Sequence, residues 1–383
     1  MKHLKITSHK RYMYTLIYAL LLLPSLKVNA MAINAKDAEV SVSKNTLILK
    51  HVHSATYDYT FNLRWNAKTN TWETQSYVID TGYGWRSEER LPHSFNSAAS
   101  VVNGNKLYIV NTMNIDIYDT RNKTWEYNDI DEINDNPFSQ VRAALVAGNI
   151  YIFKLKTDHF LTDTSTPEVW KYNLADSSIS KLNIPFIPDL RDSSQAVVYN
   201  NKIYFFGGYF EVGAALQNQQ STIWLFDPSK LAFSKKADMP DSHFSAAATV
   251  LNDKIYIFGG RYYMSNNFHG GARSYGISIY NPKTDKWEVW NAYNAQLSMS
   301  HHSPEDLSWV SANPLKGKII ATTGSATCIF DPVSKKVSYQ TPMPLLHGYR
   351  MTGAVVADKL YIAGGSDEPR RFDSFKPNLA TLP

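Results

Sequence analysis

The chain has 383 residues and a single cysteine, Cys328, so no disulfide forms within it and the fold rests on packing alone. It also lacks a charge surplus once the formal +5 is located. Residues 1–30 hold Lys2, Lys5, Lys10, Arg11 and Lys27 and no Asp or Glu, which leaves the remainder at zero. That removes the electrostatic case for a nucleic-acid partner or an anionic membrane surface. The apolar run from Tyr12 to Pro24 covers 13 residues, against the ~20 that a spanning helix needs, so stable membrane insertion is not expected. No Gly-x-Ser-x-Gly elbow, phosphate loop or dinucleotide fingerprint is present, and no cofactor is expected. His301-His302-Ser303-Pro304-Glu305-Asp306 and His51-Val52-His53 lack the helical His spacing or Cys pairs of a zinc motif, so no metal is expected either.

What the first 30 residues do contain is a basic start, the short apolar run, and Val28-Asn29-Ala30 with small residues at the −3 and −1 positions. This order predicts a signal peptide over 1–30, cleavage before Met31, and a periplasmic or secreted mature chain over 31–383. No cysteine follows the apolar run, which argues against a lipid anchor, and export without disulfides suits a bacterial periplasm or medium.

Hydrophobic residues make up 44% and charged residues 19%, which excludes a disordered or collagen-like chain. Aromatics reach 13%, with 24 Tyr and 9 Trp, favouring β structure. The informative signal is internal repetition. Asn105-Lys106-Leu107-Tyr108, Gly148-Asn149-Ile150-Tyr151, Asn201-Lys202-Ile203-Tyr204, Asp253-Lys254-Ile255-Tyr256, Gly317-Lys318-Ile319-Ile320 and Asp358-Lys359-Leu360-Tyr361 recur, each after a strand-like stretch of small and β-branched residues. Three run into Gly207-Gly208, Gly259-Gly260 and Gly364-Gly365, where φ > 0 and close backbone approach are available. Downstream, Asp119, Asp227, Asn281 and Asp331 start tight turns, and Trp125, Phe233, Trp287 or Val337 opens the next strand six residues later. Each repeat is then a four-stranded meander, a-b-c-d. Two apolar faces per sheet require stacking between copies, and a closed ring removes the open ends.

The double glycine, the spaced Tyr and the Trp six residues after Asp or Asn resemble the kelch family of β-propellers, from about residue 38 to the C-terminus. The resemblance implies one all-β domain with almost no helix after residue 30. Counting Leu47-Ile48-Leu49-Lys50 and Trp72 as a first unit gives seven blades; six follow if residues 31–80 only complete the final blade.

In such a meander the b–c loops and d–a connections share one face. The a–b turns here are two or three residues and the c–d turns are compact, whereas 77–92, 154–168, 209–222, 261–275 and 291–308 are long and varied, so a site is expected on the b–c face. Arg142, Arg191, His243 and Arg350 fall at starts of innermost strands. The arginines lie nine, thirteen and eleven residues before their Tyr, all odd offsets that give one orientation in extended strands. Three guanidiniums at a channel mouth would hold a carboxylate; the alternative is that they bridge blades by bonding to backbone carbonyls. Tyr209, Phe210 and Glu211, then Arg261, Tyr262, Tyr263 and His269, and Tyr83, Trp85 and Arg86, add aromatic and polar groups that suit a sugar or pack the loops down.

The reading favoured is an exported binding module for a carbohydrate or protein ligand. The alternative is a sugar isomerase similar to the periplasmic sialic acid mutarotases, or N-acetylneuraminate epimerases, which are exported kelch-like propellers of similar length. That resemblance implies an acidic sugar, with Arg191 and Arg350 binding it and Glu211 as the acid/base carboxylate. Where that family has an Asn-Gly-Glu-like motif, this chain reads Ala321-Thr322-Thr323-Gly324-Ser325. The copper radical oxidases, which crosslink Tyr to Cys, are set aside because Cys328 sits in an apolar strand beside Ile329 and Phe330 and the extra C-terminal domain is missing.

Overall fold

A computed structural model describes residues 39–43, 46–53, 58–68, 71–79, 83–95, 97–130, 133, 140–155, 167–191, 194–212, 216–219, 221–240, 246–258, 261–262, 272–273, 276–291, 311–322, 327–340, 347, 351–365 and 369–378. The expected signal peptide lies outside them. Among the described residues there are thirty-two strands, β1 to β32 in chain order, and no α-helix.

Seven four-stranded antiparallel sheets form, the number expected, and the fold is an all-β propeller. They comprise β1 to β4 (39–79), β6 to β9 (99–129), β10 to β13 (141–181), β14, β15, β18 and β19 (195–236), β20, β21, β24 and β25 (247–291), β26 to β29 (311–339), and β30 to β32 (352–376) joined by β5 (84–87). The first strands of six sheets touch in a closed cycle, β6, β10, β14, β20, β26, β30 and back to β6. The sheet over 39–79, built around the Trp72 unit, packs its β4 (Thr71–Ile79) on β5. The 39–79 segment thus forms a sheet of its own and does not complete the final blade, a role taken by β5, and six of the seven sheets supply the inner cycle.

Turn chemistry explains why these residues make hairpins. At five a–b turns both central residues have φ > 0: Ala147 and Gly148, Asn200 and Asn201, Asn252 and Asp253, Lys316 and Gly317, Ala357 and Asp358. Two-residue turns of that kind match the right-handed strand twist, and Asn, Asp and Gly tolerate them best. The c–d turns depend on the Asp or Asn side chain. Asp119 Oδ1 accepts from the Arg121 and Asn122 N–H groups at 2.8 and 3.1 Å; Asn173, Asp227, Asn281 and Asp331 accept in the same way from the residue two positions on. Lys318 and the Val333 N–H hold the Asp331 carboxyl down to about 2, from an ordinary 3.8.

The core lies between sheets. Among the described residues, apolar clusters join neighbouring sheets; one combines Ile115, Ile117, Val141 and Ile152, another Phe153, Phe205, Ile203 and Phe226. The cluster that closes the ring joins Leu107, Ile109 and Tyr118 to Ala354, Tyr361 and Phe372, with Leu91 and Phe95 from the connection between β5 and β6.

The double glycines permit the predicted close approach. Gly364 and Gly365 have φ of 66° and 115°, and a Cβ on Gly365 would lie 2.0 Å from the His347 carbonyl oxygen. Gly148, at φ 76°, has open space around it. Gly365→Ala is expected to cost more than about 3 kcal/mol in urea unfolding, because backbone has to move, against about 1 kcal/mol for Gly148→Ala, which pays only the left-handed strain. Acid unfolding gives a second check. A carboxylate whose folded pKa is depressed contributes stability above 3.8 that fades as pH falls toward 2, so Asp331→Asn should flatten the stability curve in that window.

Candidate functional site

The b–c segments carry the additions to the meander. In the third ring blade, β16 (Tyr209–Val212) and β17 (Leu216–Gln219) form a separate hairpin between strands b and c, and in the fourth β22 (Arg261–Tyr262) pairs with β23 (Ala272–Arg273). Segments read from sequence as loops thus hold two-stranded sheets. The backbone puts Tyr209 opposite Gln219, Glu211 opposite Gln217, Arg261 opposite Arg273 and Tyr262 opposite Ala272. The side chains of Tyr209, Glu211, Arg261 and Tyr262 lie outside the described residues, as do His243, Arg350, the 301–306 stretch and the side chains of His51 and His53.

Two of the expected arginines are described in full. Arg142 lies in β10 (Val141–Val146) and is half-buried; its Nε donates to the Ser194 carbonyl at 2.5 Å and its Nη1 to the Val141 carbonyl at 2.8 Å. Ser194 immediately precedes β14 (Gln195–Tyr199), so this bond spans two blades. Arg191 is buried and pairs with Asp189, and burial lowers its pKa. Tyr83 is exposed, while Trp85 is fully buried in β5 (Gly84–Ser87) against Phe375 at 5.2 Å. Cys328 is buried, its thiol pushed up to about 12 by desolvation, and it serves as a core residue.

The structure adds a polar constellation that the sequence reading missed. Asp116 in β8 (Asn114–Asp119) and Asp373 in β32 (Phe372–Lys376) are fully buried and occupy the same register, opposite Ile109 and Ile362 on their b strands. The other ring blades place Trp170, Trp224, Ser278 and Cys328 there. Each aspartate meets a histidine from the preceding connection. His93 Nδ1 is 2.7 Å from Asp116 Oδ1, and His347 Nε2 is 3.1 Å from Asp373 Oδ2. His347 Nδ1 also lies 2.7 Å from the Gly364 carbonyl, which can only accept. His347 Nδ1 therefore donates to that carbonyl, and Nε2 faces the Asp373 carboxyl. Tyr77 of β4 donates to the same Oδ2 at 3.2 Å, and Arg371 Nη1 is 4.0 Å away. A signal for this set was available: in both repeats a His upstream of strand a accompanies an Asp near the start of strand c.

Among the described residues no group of three or more His, Cys, Asp or Glu side chains could hold a metal, and no helix is long and apolar enough to cross a membrane. What the arrangement offers is a rigid ring with elaborated b–c segments on one face, and two buried aspartates, each paired with a histidine, where the last blade meets the first.

The family model described as the KLHDC2/KLHL20/DRC7 Kelch-repeats domain matches residues 156–365. The chain belongs to the kelch-repeat family. It is similar to spermatocyte protein spe-26 of Caenorhabditis elegans, 28% identical over 37% of this chain and 23% of that protein. Kelch domain-containing protein 3 of Homo sapiens is 26% identical over 31% of this chain and 32% of its own length, and kelch-like protein terF of Aspergillus terreus is 24% identical over 56% and 47%. The chain thus spans about a quarter to a half of these relatives. A solved structure titled "Structure of YjhT" superposes with a TM-score of 0.58 at 15% identity, covering 75% of this chain and 95% of that one, which supports the fold.

Arg142 and His347 allow a direct test. Arg142→Ala is expected to lower stability by about 1–2 kcal/mol through loss of the Ser194 bond. His347→Phe should cost more, about 3–5 kcal/mol, because it strands the Asp373 carboxylate in the core. Equal and negligible shifts of the urea midpoints would contradict both assignments.

Proposed function

We propose that the chain is an exported ligand-binding propeller that takes a carbohydrate or protein ligand on its b–c face. The observation that carries this is the asymmetry of the ring. The a–b and c–d turns are short and self-capped on one face, and the hairpins β16–β17 and β22–β23 interrupt the meander on the other. Long segments on a rigid scaffold are the usual seat of recognition. Export is supported by the basic start, the short apolar run and the Val28-Asn29-Ala30 site.

A second reading is an isomerase acting on an acidic sugar, in the manner of the sialic acid mutarotases. It is supported by the position of Glu211 in the b–c hairpin strand β16, and by Arg191 ahead of β14, the inner strand of the same blade.

Replacing residues 209–219 with a short Gly-Ser turn is expected to abolish ligand capture on a glycan array and in a pull-down, while the melting temperature stays within about 4 °C, since the hairpin lies outside the four-stranded sheet. Unchanged capture would remove the b–c face from the reading. Acceleration of anomeric exchange of N-acetylneuraminate, seen by NMR, would move the chain to the isomerase class. Sequencing the mature protein is expected to give Met31 first, and an intact Met1 on a cytosolic product would refute export.

A further inference from the structure

The join between the last and first ring blades presents a second set of polar and aromatic groups, drawn from the β5–β6 connection, the turn before β32 and strand d of the first ring blade. His93, in the connection from β5 to β6 (Ala99–Asn103), is fixed from behind. Its Nδ1 is 2.7 Å from Asp116 Oδ1, its backbone N–H donates to Asp116 Oδ2 at 3.2 Å, and its ring meets the Tyr127 ring edge-on at 4.8 Å. Burial pushes the Asp116 carboxyl up, opposed by the hydrogen bond from His93 and the charge of Arg370. With the carboxylate behind Nδ1, Nε2 is the ring nitrogen turned to the other side. Among the described residues no hydrogen-bond partner faces Nε2, and the side chain is 33% exposed.

Arg370 lies alongside. Its Nε donates to the Leu91 carbonyl at 2.9 Å and its own carbonyl accepts from the Leu91 N–H at 3.1 Å, so the inner edge of the guanidinium is held while the exposed side chain leaves its terminal nitrogens to solvent. Tyr127 in β9 (Thr124–Asp129) sits directly across from Asp116 and is 55% exposed. One acceptor, one cationic fork and one aromatic wall are thus gathered on a single rim, each anchored through atoms that a ligand would not use.

We propose that His93, Arg370 and Tyr127 form a binding site for a polyhydroxylated carboxylic acid of the uronic-acid class. The Arg370 fork takes the carboxylate, a ring hydroxyl donates to His93 Nε2, and the Tyr127 ring covers a C–H face of the sugar. Asp116 and the Leu91 carbonyl fix the two polar groups in advance, which lowers the ordering cost of binding. A neutral sugar leaves Arg370 without its anion, and a small acid such as acetate leaves His93 and Tyr127 unused. The proposal rests on the carbohydrate branch of the function above and uses neither Arg142 nor Arg191.

Calorimetric titration of the full chain with D-glucuronate, D-glucose and acetate tests it, together with NMR of the His93 ring protons. Glucuronate is expected to saturate and to shift the His93 signals, with glucose and acetate at least tenfold weaker. Arg370→Gln and His93→Phe are each expected to weaken glucuronate by tenfold or more. The exposed Tyr127→Ala, which leaves the fold intact, is expected to weaken it three- to tenfold at unchanged melting temperature. Glucuronate affinity unchanged in Arg370→Gln and Tyr127→Ala would overturn the site; if Arg142→Ala or Arg191→Ala then abolishes it, the sugar belongs at the channel mouth and the broader reading stands. An absence of glucuronate binding alongside capture of neutral glycans would overturn the site alone, and an absence of any glycan binding would overturn it together with its carbohydrate premise.

Discussion

Everything in this fold depends on one antiparallel pairing, that of β5 with β32. Gly84, Trp85, Arg86 and Ser87 lie opposite Lys376, Phe375, Ser374 and Asp373, so strand d of the last blade comes from the beginning of the ring. A stack of antiparallel sheets with two apolar faces each has exposed ends unless it closes. The closure brings Tyr118 against Tyr361 and Phe372, with ring centroids 5.9 and 4.9 Å apart. It also seats Phe95 against Gly364, where a side chain would have no room: a Cβ there would lie 2.8 Å from the Phe95 ring. The cost of ordering so distant a contact is recovered only when both partners are present, which makes the pairing cooperative with the whole ring.

The same constraint explains where the polar chemistry lies. The two blades that meet at the closure carry Asp116 and Asp373 at a position filled elsewhere by Trp170, Trp224, Ser278 and Cys328. A buried carboxylate is expensive unless paired, and each is paired with a histidine from its own incoming connection. Asp373 also receives Tyr77, through which the 39–79 sheet reaches the ring. The His347–Asp373 pair is fully buried and organises structure, whereas in the His93–Asp116 pair the imidazole is one-third exposed.

Much of this was legible from residues. The recurrent Lys-Ile-Tyr anchors gave the b strands, because a buried Tyr and its apolar neighbours repeat at a fixed distance from the turn. Asp or Asn ahead of each c–d turn could be read from its turn chemistry, since that side chain caps backbone N–H groups locally. The ring's membership was less legible: the Trp72 unit repeats the meander pattern, yet it docks on β5 outside the inner cycle, and strand pairing between ends leaves no periodic trace. The b–c hairpins were read as loops because β16 and β17 are short and carry little alternation. Arg142 was identified, but its bond to Ser194 depends on the neighbouring blade, which local sequence does not encode. His93 and His347 were missed because neither sits in a metal or catalytic spacing, and their aspartates lie 23 and 26 residues downstream.

Native-state hydrogen exchange across β5 and β32 tests the central claim most directly. If the pairing holds the ring shut, the backbone amides of Gly84, Arg86, Glu88 and Ser374, which bond across it, are expected to exchange only with global unfolding, at the same free energy as the amides of β10 and β15 (Lys202–Phe206). Faster exchange at these four positions, with the other blades still protected, would show that the ring opens there without unfolding and that the closure is not what the structure depends on.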